Sequence, residues 1–267
     1  MLKTLMGGAV LALAAALPLH AQVDIRKETQ RWQQMIAEGS PAELFEIEGE
    51  ALWKKKQGPK NVSLEGCDLG QGPGVVKAAY AQLPKYFADA DRVMDLETRL
   101  LHCMTTLQSR SPQDATRRLY GNADRPSEME LLSVYIAGQS RGVPMAPGTR
   151  HVKEREAFEL GQKLFFHRAG AWDFSCSSCH GEADKRIRMQ YLPVMSQPEG
   201  VRKIVATWPT YLVRNAQVKT MQWRIWDCYR QMRWPEPVFG SEATVAITQY
   251  LTVTGQGEPY AGPGTKR

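Results

Sequence analysis

The sequence predicts an all-α protein built from two helical domains in tandem, and three observations carry that reading. Phe158, Leu160, Leu164 and Phe165 recur at helical spacing within Glu154 to Phe166. A series of short matches runs in the same order through both halves of the chain. Between the halves lies Gly142-Val143-Pro144-Met145-Ala146-Pro147-Gly148, a Pro/Gly-rich stretch suited to a linker.

The first element is a leader. Met1-Leu2-Lys3 precedes an apolar run from Leu5 to Leu17, and Pro18-Leu19-His20-Ala21 then gives way to the polar Gln22-Val23-Asp24. That order reads as a signal peptide over residues 1–21 with cleavage after Ala21, and hence as export. No later apolar run is long enough to cross a bilayer, so no membrane association is expected after cleavage. The formal net charge is +6, one unit of it carried by Lys3. Basic residues are spread along the chain, as at Lys54-Lys55-Lys56 and Lys185-Arg186-Ile187-Arg188. They lack the aromatic interleaving of a nucleic-acid groove, so no nucleic-acid partner is expected; the functional use of such charge is to dock an acidic partner or substrate.

The chemistry begins at Cys176-Ser177-Ser178-Cys179-His180, which fits C-x-x-C-H. Two thiols two residues apart can each add to one vinyl group of a haem, and the next histidine can reach the iron from the same side. The competing use of C-x-x-C, a redox-active pair, needs a strand before it, whereas here a helical pattern precedes the motif. One covalently bound haem c is therefore expected, attached through Cys176 and Cys179 with His180 on the iron.

The repeat places a second, altered copy of this unit upstream. Gly161-Gln162-Lys163-Leu164-Phe165 leads into Cys176 as Gly49-Glu50-Ala51-Leu52-Trp53 leads into Cys67. Where the second copy has Cys179 and His180, the first has Gly70 and Gln71, so it lacks a second thioether and an iron ligand. Downstream, Arg99 to Cys103 matches Arg224 to Cys228, and Tyr135-Ile136 with Gly138-Gln139 matches Tyr250-Leu251 with Gly255-Gln256. The expected organisation is a degenerate, haem-free cytochrome c-like domain over residues 22–149 and a haem-binding one over 150–267. In the repeat's frame Cys103 faces Cys67 across the vacated cavity. A Cys67–Cys103 disulfide is expected, worth roughly 4 kcal/mol in the chain-entropy model.

What fills the far side of the iron is not settled by spacing. Met189, Met195, Met221 and Met232 lie in the haem half, His167 precedes the motif and His151 is in the linker. Cys228 is the better candidate, since it is the cysteine left over in an exported chain of five. Arg224 sits one helical turn before it, where a guanidinium favours a thiolate and can hold an oxyanion; Arg230 and Arg233 follow.

With C-S-S-C-H-G, R-x-x-x-C-Y-R and the degenerate first copy, nearly the whole mature chain resembles the SoxA family, the catalytic cytochrome subunits of bacterial sulfur-oxidising SoxAX complexes. The resemblance implies a periplasmic L-cysteine S-thiosulfotransferase that joins thiosulfate oxidatively to a cysteine of a SoxYZ-type carrier and passes electrons through haem. It also implies a heterodimer with a SoxX-type cytochrome. Cys176 and Cys179 then match the haem cysteines, His180 the proximal ligand, Cys228 the distal ligand and catalytic sulfur, and Arg224 the substrate-binding arginine. Gly70 and Gln71 place the chain with single-haem members. The alternative from another class is a periplasmic electron carrier with His180 and a methionine on iron and no sulfur chemistry.

Overall fold

The computed structural model describes residues 40–121, 125–187 and 190–266, together with Lys27. The expected signal peptide, residues 1–21, lies outside the described residues. Helix α1 (Ala42–Lys54) buries Ala42, Gly49 and Trp53 along one face. It crosses α4 (Glu128–Gly138), which is buried from Met129 through Gly138 and opens on a capping box made by Ser127 and Glu130. Between them come the β1–β2 hairpin (Lys85–Phe87, Arg92–Met94), α2 (Leu96–Thr106), capped by Asp95, and the short α3 (Pro112–Thr116). Their first core gathers Trp53, Leu64, Leu100, Met104, Leu132 and Ile136.

The second half repeats the crossing. Helix α5 (Val152–Phe166) packs against α9 (Glu242–Thr254), with α6 (Cys176–His180), α7 (Pro198–Val205) and α8 (Met221–Met232) between them. Its core holds Phe165, Val205, Trp208, Ile225, Tyr250 and Leu251. The two glycines that open the sequence repeat are the contact points. A Cβ on Gly49 would lie 2.1 Å from the Leu131 carbonyl oxygen and 2.7 Å from Tyr135 Cβ; one on Gly161 would lie 1.9 Å from the Ala246 oxygen and 2.8 Å from Tyr250 Cβ. In both halves a tyrosine packs on a glycine at the helix crossing, which explains why these pairs recur. Gly161→Ala is expected to force α5 and α9 apart and to cost about 2 kcal/mol, read as a lowered midpoint in chemical denaturation of the haem-loaded protein.

The all-α expectation describes the framework and omits the strands. Besides the β1–β2 hairpin there is a two-residue pair, β3 (Arg186–Ile187) and β4 (Gln190–Tyr191). A mixed sheet joins β5 (Thr210–Leu212) to β6 (Gln217–Lys219) antiparallel and to β7 (Gly264–Lys266) parallel. Two- and three-residue strands are too short to leave an alternating pattern, and β7 pairs across a long separation.

The linker is fixed in place. Gly142 donates to the Tyr260 oxygen at 2.8 Å and Met145 to the Glu258 oxygen at 2.9 Å, while Gly257 and Tyr260 donate back to Met145 and Val143. A second junction is polar and buried. Lys219 Nζ lies 2.8 Å from Glu130 Oε1 with both side chains almost fully enclosed. Gln222, fully buried, donates to Asp95 Oδ2 at 2.7 Å, and its backbone N–H donates to Glu97 Oε2 at 3.1 Å. The first half thus grips β6 and the first turn of α8.

Candidate functional site

Helix α6 is the haem motif itself. Ser175 caps it by accepting from the Ser178 N–H, so Cys176 and Cys179 are held on a single turn with His180 at its end. Both cysteines are free thiols and half-buried. His180 Nδ1 lies 2.9 Å from the Pro193 carbonyl oxygen, which fixes the ring and leaves Nε2 as the nitrogen that could ligate a metal. Burial, with Arg224 nearby, holds the imidazole below its ordinary range against the pull of the Pro193 contact.

The corresponding stretch of the first half is built differently. Cys67 and Cys103 are joined by a disulfide with Cα atoms 5.7 Å apart. Instead of a helix, an Asp68-centred turn follows, whose Oδ1 accepts from the N–H groups of Gly70 (2.6 Å) and Gly72 (2.9 Å). Gly70 has φ 98°, and a Cβ there would meet Lys85 Cδ at 2.7 Å. Neither thiol is available for a thioether and no imidazole stands at position 71, so the first half does not fit haem c. The second half does fit, with two free thiols and an oriented imidazole on one turn.

Helix α8, capped by Thr220, carries the rest. Cys228 is a half-buried free thiol, and Ile225 and Tyr229, which flank it on α8, lie in the core against which Cys176 packs, so Cys228 is a charged neighbour of the α6 thiols. Burial and that neighbour push Cys176 up to about 12. The expectation that Arg224 favours the Cys228 thiolate needs a correction of degree. Burial dominates and pushes this thiol above its ordinary range; Arg224 and Arg214 pull it down and Asp227 pushes it up.

Asp227 is the residue sequence reading missed. Its nearly enclosed carboxylate accepts from Arg224 Nη1 (3.0 Å), Arg214 Nη2 (3.3 Å), Arg230 Nη2 (2.7 Å) and Gln231 Nε2 (2.8 Å). Burial works against the charge, but Arg230, Arg224 and Arg214 outweigh it and hold the carboxyl below its usual range. Arg214 was missed as well, because it lies ten residues before Arg224 on another element, the turn Val213–Asn215. An acid directly beside a candidate cysteine was the available signal for Asp227. Arg233 ends α8 with φ 58°, over the Trp172 ring at 5.6 Å.

The other candidate ligands are placed as follows. Met195, Met221 and Met232 are buried in the second core, and Met189 lies outside the described residues. His151 caps α5 and stacks on Tyr86 with centroids 3.6 Å apart; His167 is the C-cap of α5, edge-on to Trp234. The first-half counterpart of Arg224 is spent internally. Arg99 is buried, paired to Asp89 at 2.8 Å, and donates from Nε to the Asp68 oxygen at 2.6 Å.

Comparison with known proteins shows the family and the fold. The family model for the SoxA/TsdA cytochrome c domain matches residues 48–145, the half whose cysteines form the disulfide. The L-cysteine S-thiosulfotransferase subunit SoxA of Hydrogenophilus thermoluteolus is 44% identical over 241 residues, covering 90% of this chain and 88% of that protein. A SoxA subunit of Hydrogenobacter thermophilus is 32% identical over 228 residues, 85% of this chain and 82% of its own length. The fold is shared with the crystal structure of SoxXA from P. pantotrophus, at a TM-score of 0.73 and 22% identity, over 89% of this chain and 84% of that one. Haem c is the cofactor that a cytochrome c domain implies. With that identity over most of both chains, this protein belongs to the SoxA family.

Proposed function

We propose that this chain is the catalytic subunit of an L-cysteine S-thiosulfotransferase, working at Cys228 in a haem-binding domain over residues 150–267. The observation that carries the reading is the meeting of one unpaired thiol, Cys228, with Arg224 one turn before it, in electrostatic reach of the C-x-x-C-H thiols. The domain over 22–149 carries no haem in this reading, and Cys176, Cys179, His180 and Cys228 are the residues that would hold a single haem c. The export signal read over 1–21 supports a periplasmic location, and among the described residues no helix is long and apolar enough to cross a membrane.

The substrate is thiosulfate, a dianion that a guanidinium holds by paired, charge-assisted hydrogen bonds. Its terminal sulfur forms a bond to the sulfur of a cysteine on a SoxYZ-type carrier; the carrier thiol gives up its proton and two electrons leave the pair of sulfurs. Arg224 holds the sulfonate end and Asp227 fixes that guanidinium; the Cys228 sulfur bonds the terminal sulfur of thiosulfate as the two electrons leave, and the carrier thiolate then attacks that sulfur, breaking its bond to Cys228 and releasing the Cys228 thiolate. Pro193 keeps His180 in the tautomer that ligates. Haem c, when bound, supplies a one-electron redox centre for the two electrons released, and a SoxX-type cytochrome is the partner that receives them.

Intact-mass measurement of the purified protein under non-reducing conditions, paired with its electron-paramagnetic-resonance spectrum, tests this reading. The expected result is one haem, one disulfide and a low-spin ferric signal of histidine–thiolate type. A methionine-sulfur charge-transfer band in the absorption spectrum would instead mark a plain electron carrier.

A further inference from the structure

Three guanidinium groups share the single carboxylate of Asp227, so this cluster keeps a net excess of positive charge after its one acid is counted. Arg224 and Arg214 meet at the same oxygen, Oδ2, from two different chain segments. Arg214 leaves β5 on the Val213–Asn215 turn and is fixed by three contacts. Nη2 goes to Asp227 (3.3 Å), Nε to Asn215 Oδ1 (3.1 Å), and the guanidinium carbon stands 5.9 Å from the centre of the Trp223 ring. What remains is directional. Nη1 of Arg214, and Nε and Nη2 of Arg224, have no partner among the described residues. Both side chains are about one-third exposed, 35% for Arg214 and 32% for Arg224, so a small anion can reach them from solvent.

A third segment adds to the same field. Strand β7 pairs in parallel with β5, setting Lys266 opposite Leu212, two residues before Arg214. Its ammonium donates to Thr207 Oγ1 at 3.1 Å and has no acidic partner among the described residues. Burial first, and Arg224 second, lower this group to about 8, which places it in the field of the same site. Such an excess of fixed positive charge is costly unless an anion completes it.

We propose that Arg214 is the second arm of the substrate-anion clamp, held beside Arg224 by their shared bond to Asp227, so that a dianion at Cys228 is gripped by two guanidinium groups. The clamp explains why the active half keeps an acid at position 227, where the first half has His102 and its arginine is turned inward onto Asp89. One arginine supplies charge and one fork; two from different segments also select for size and for a doubly charged, tetrahedral anion. This deepens the thiosulfotransferase reading and rests on it for the identity of the anion.

The test measures thiosulfate affinity by calorimetry, and thiosulfate-dependent turnover in parallel, on the haem-loaded chain assembled with its cytochrome partner. Arg214→Gln is expected to weaken thiosulfate binding about tenfold or more, the usual effect of losing a charge-assisted bond. The KM should rise with it and kcat change little, and Arg214→Lys, which keeps the charge but not the fork, should recover part of the loss. Covalent haem attachment should be unchanged, since Arg214 bonds Asn215 and Asp227 and not Cys176, Cys179 or His180. Thiosulfate affinity in Arg214→Gln within twofold of the wild type, while Arg224→Gln binds weakly, would overturn the clamp. Normal turnover in a Cys228→Ser protein, with binding still dependent on Arg214, would instead reject the transferase reading and leave the anion site standing.

Discussion

Replacing Cys228 with serine is expected to abolish thiosulfate-dependent turnover, by about a thousandfold or more, while leaving haem attached. The two effects separate because different elements carry them. Covalent attachment belongs to Cys176 and Cys179 on α6, whereas Cys228 sits on α8, after a different capping residue and in a different part of the chain. Losses of that size are typical when the side chain that forms bonds to substrate is removed, and a hydroxyl is a far weaker nucleophile than a thiolate at neutral pH. The swap of sulfur for oxygen scarcely changes volume in a half-buried position, so the fold should stand. Steady-state reduction of an electron acceptor by the reconstituted complex, with thiosulfate and carrier supplied, measures the first effect; covalent haem staining measures the second. Turnover within a few-fold of the wild type would remove Cys228 from the chemistry.

Lys219→Met is expected to be the most destabilising single change at the junction between the halves. Lys219 and Glu130 have side chains only 2% and 0% exposed, and their contact spans 2.8 Å. Glu130 also accepts from the N–H groups of Ser127 and Gly121, so its carboxyl group is held in place and stays buried when the ammonium is gone. Breaking a buried pair from one side costs about 3–5 kcal/mol, because the remaining charge is stranded. For a chain of this length that corresponds to a fall in melting temperature on the order of 10 °C. Replacing both partners, as in Lys219→Met with Glu130→Met, should recover much of the loss, and the contrast between the single and double variants is the diagnostic result. Because Lys219 immediately precedes the cap of α8, the single variant should also loosen the helix that carries Arg224 and Cys228. A difference of less than 1 kcal/mol from the wild type would mean the junction does not hold that helix.

Much of this was legible in the sequence, and for physical reasons. C-x-x-C-H is a local motif whose members must be neighbours in the chain, so spacing alone located α6 and both its thiols. The helix crossings left a trace because only glycine admits such close backbone approach, and the same Gly and Tyr pairs recur at Gly49 with Tyr135 and Gly161 with Tyr250. The disulfide followed from comparing the two copies of one unit. The strands were not legible: β5 meets β7 across more than fifty residues, and three residues carry no periodicity. Asp227 and Arg214 were missed for a related reason. Asp227 is adjacent in sequence to Cys228, but only the fold shows it enclosed and shared by three arginines. Arg214 comes to the site through the turn after β5, which no helical pattern announces. The effect of burial on the Cys228 thiol was also invisible, because a sequence shows the neighbouring arginine and not the exclusion of water.

The central claim is that sulfur is transferred to a carrier cysteine at Cys228, with the haem serving that transfer. It is tested most directly by weighing the carrier after incubation with thiosulfate, an oxidised electron acceptor and the complex containing this chain. The expected result is a thiosulfate adduct on the carrier cysteine, with two electrons delivered to the acceptor for each adduct formed, and neither product when Cys228 is serine. Reduction of the acceptor with no adduct on the carrier would contradict the account and leave the protein an electron-transfer cytochrome.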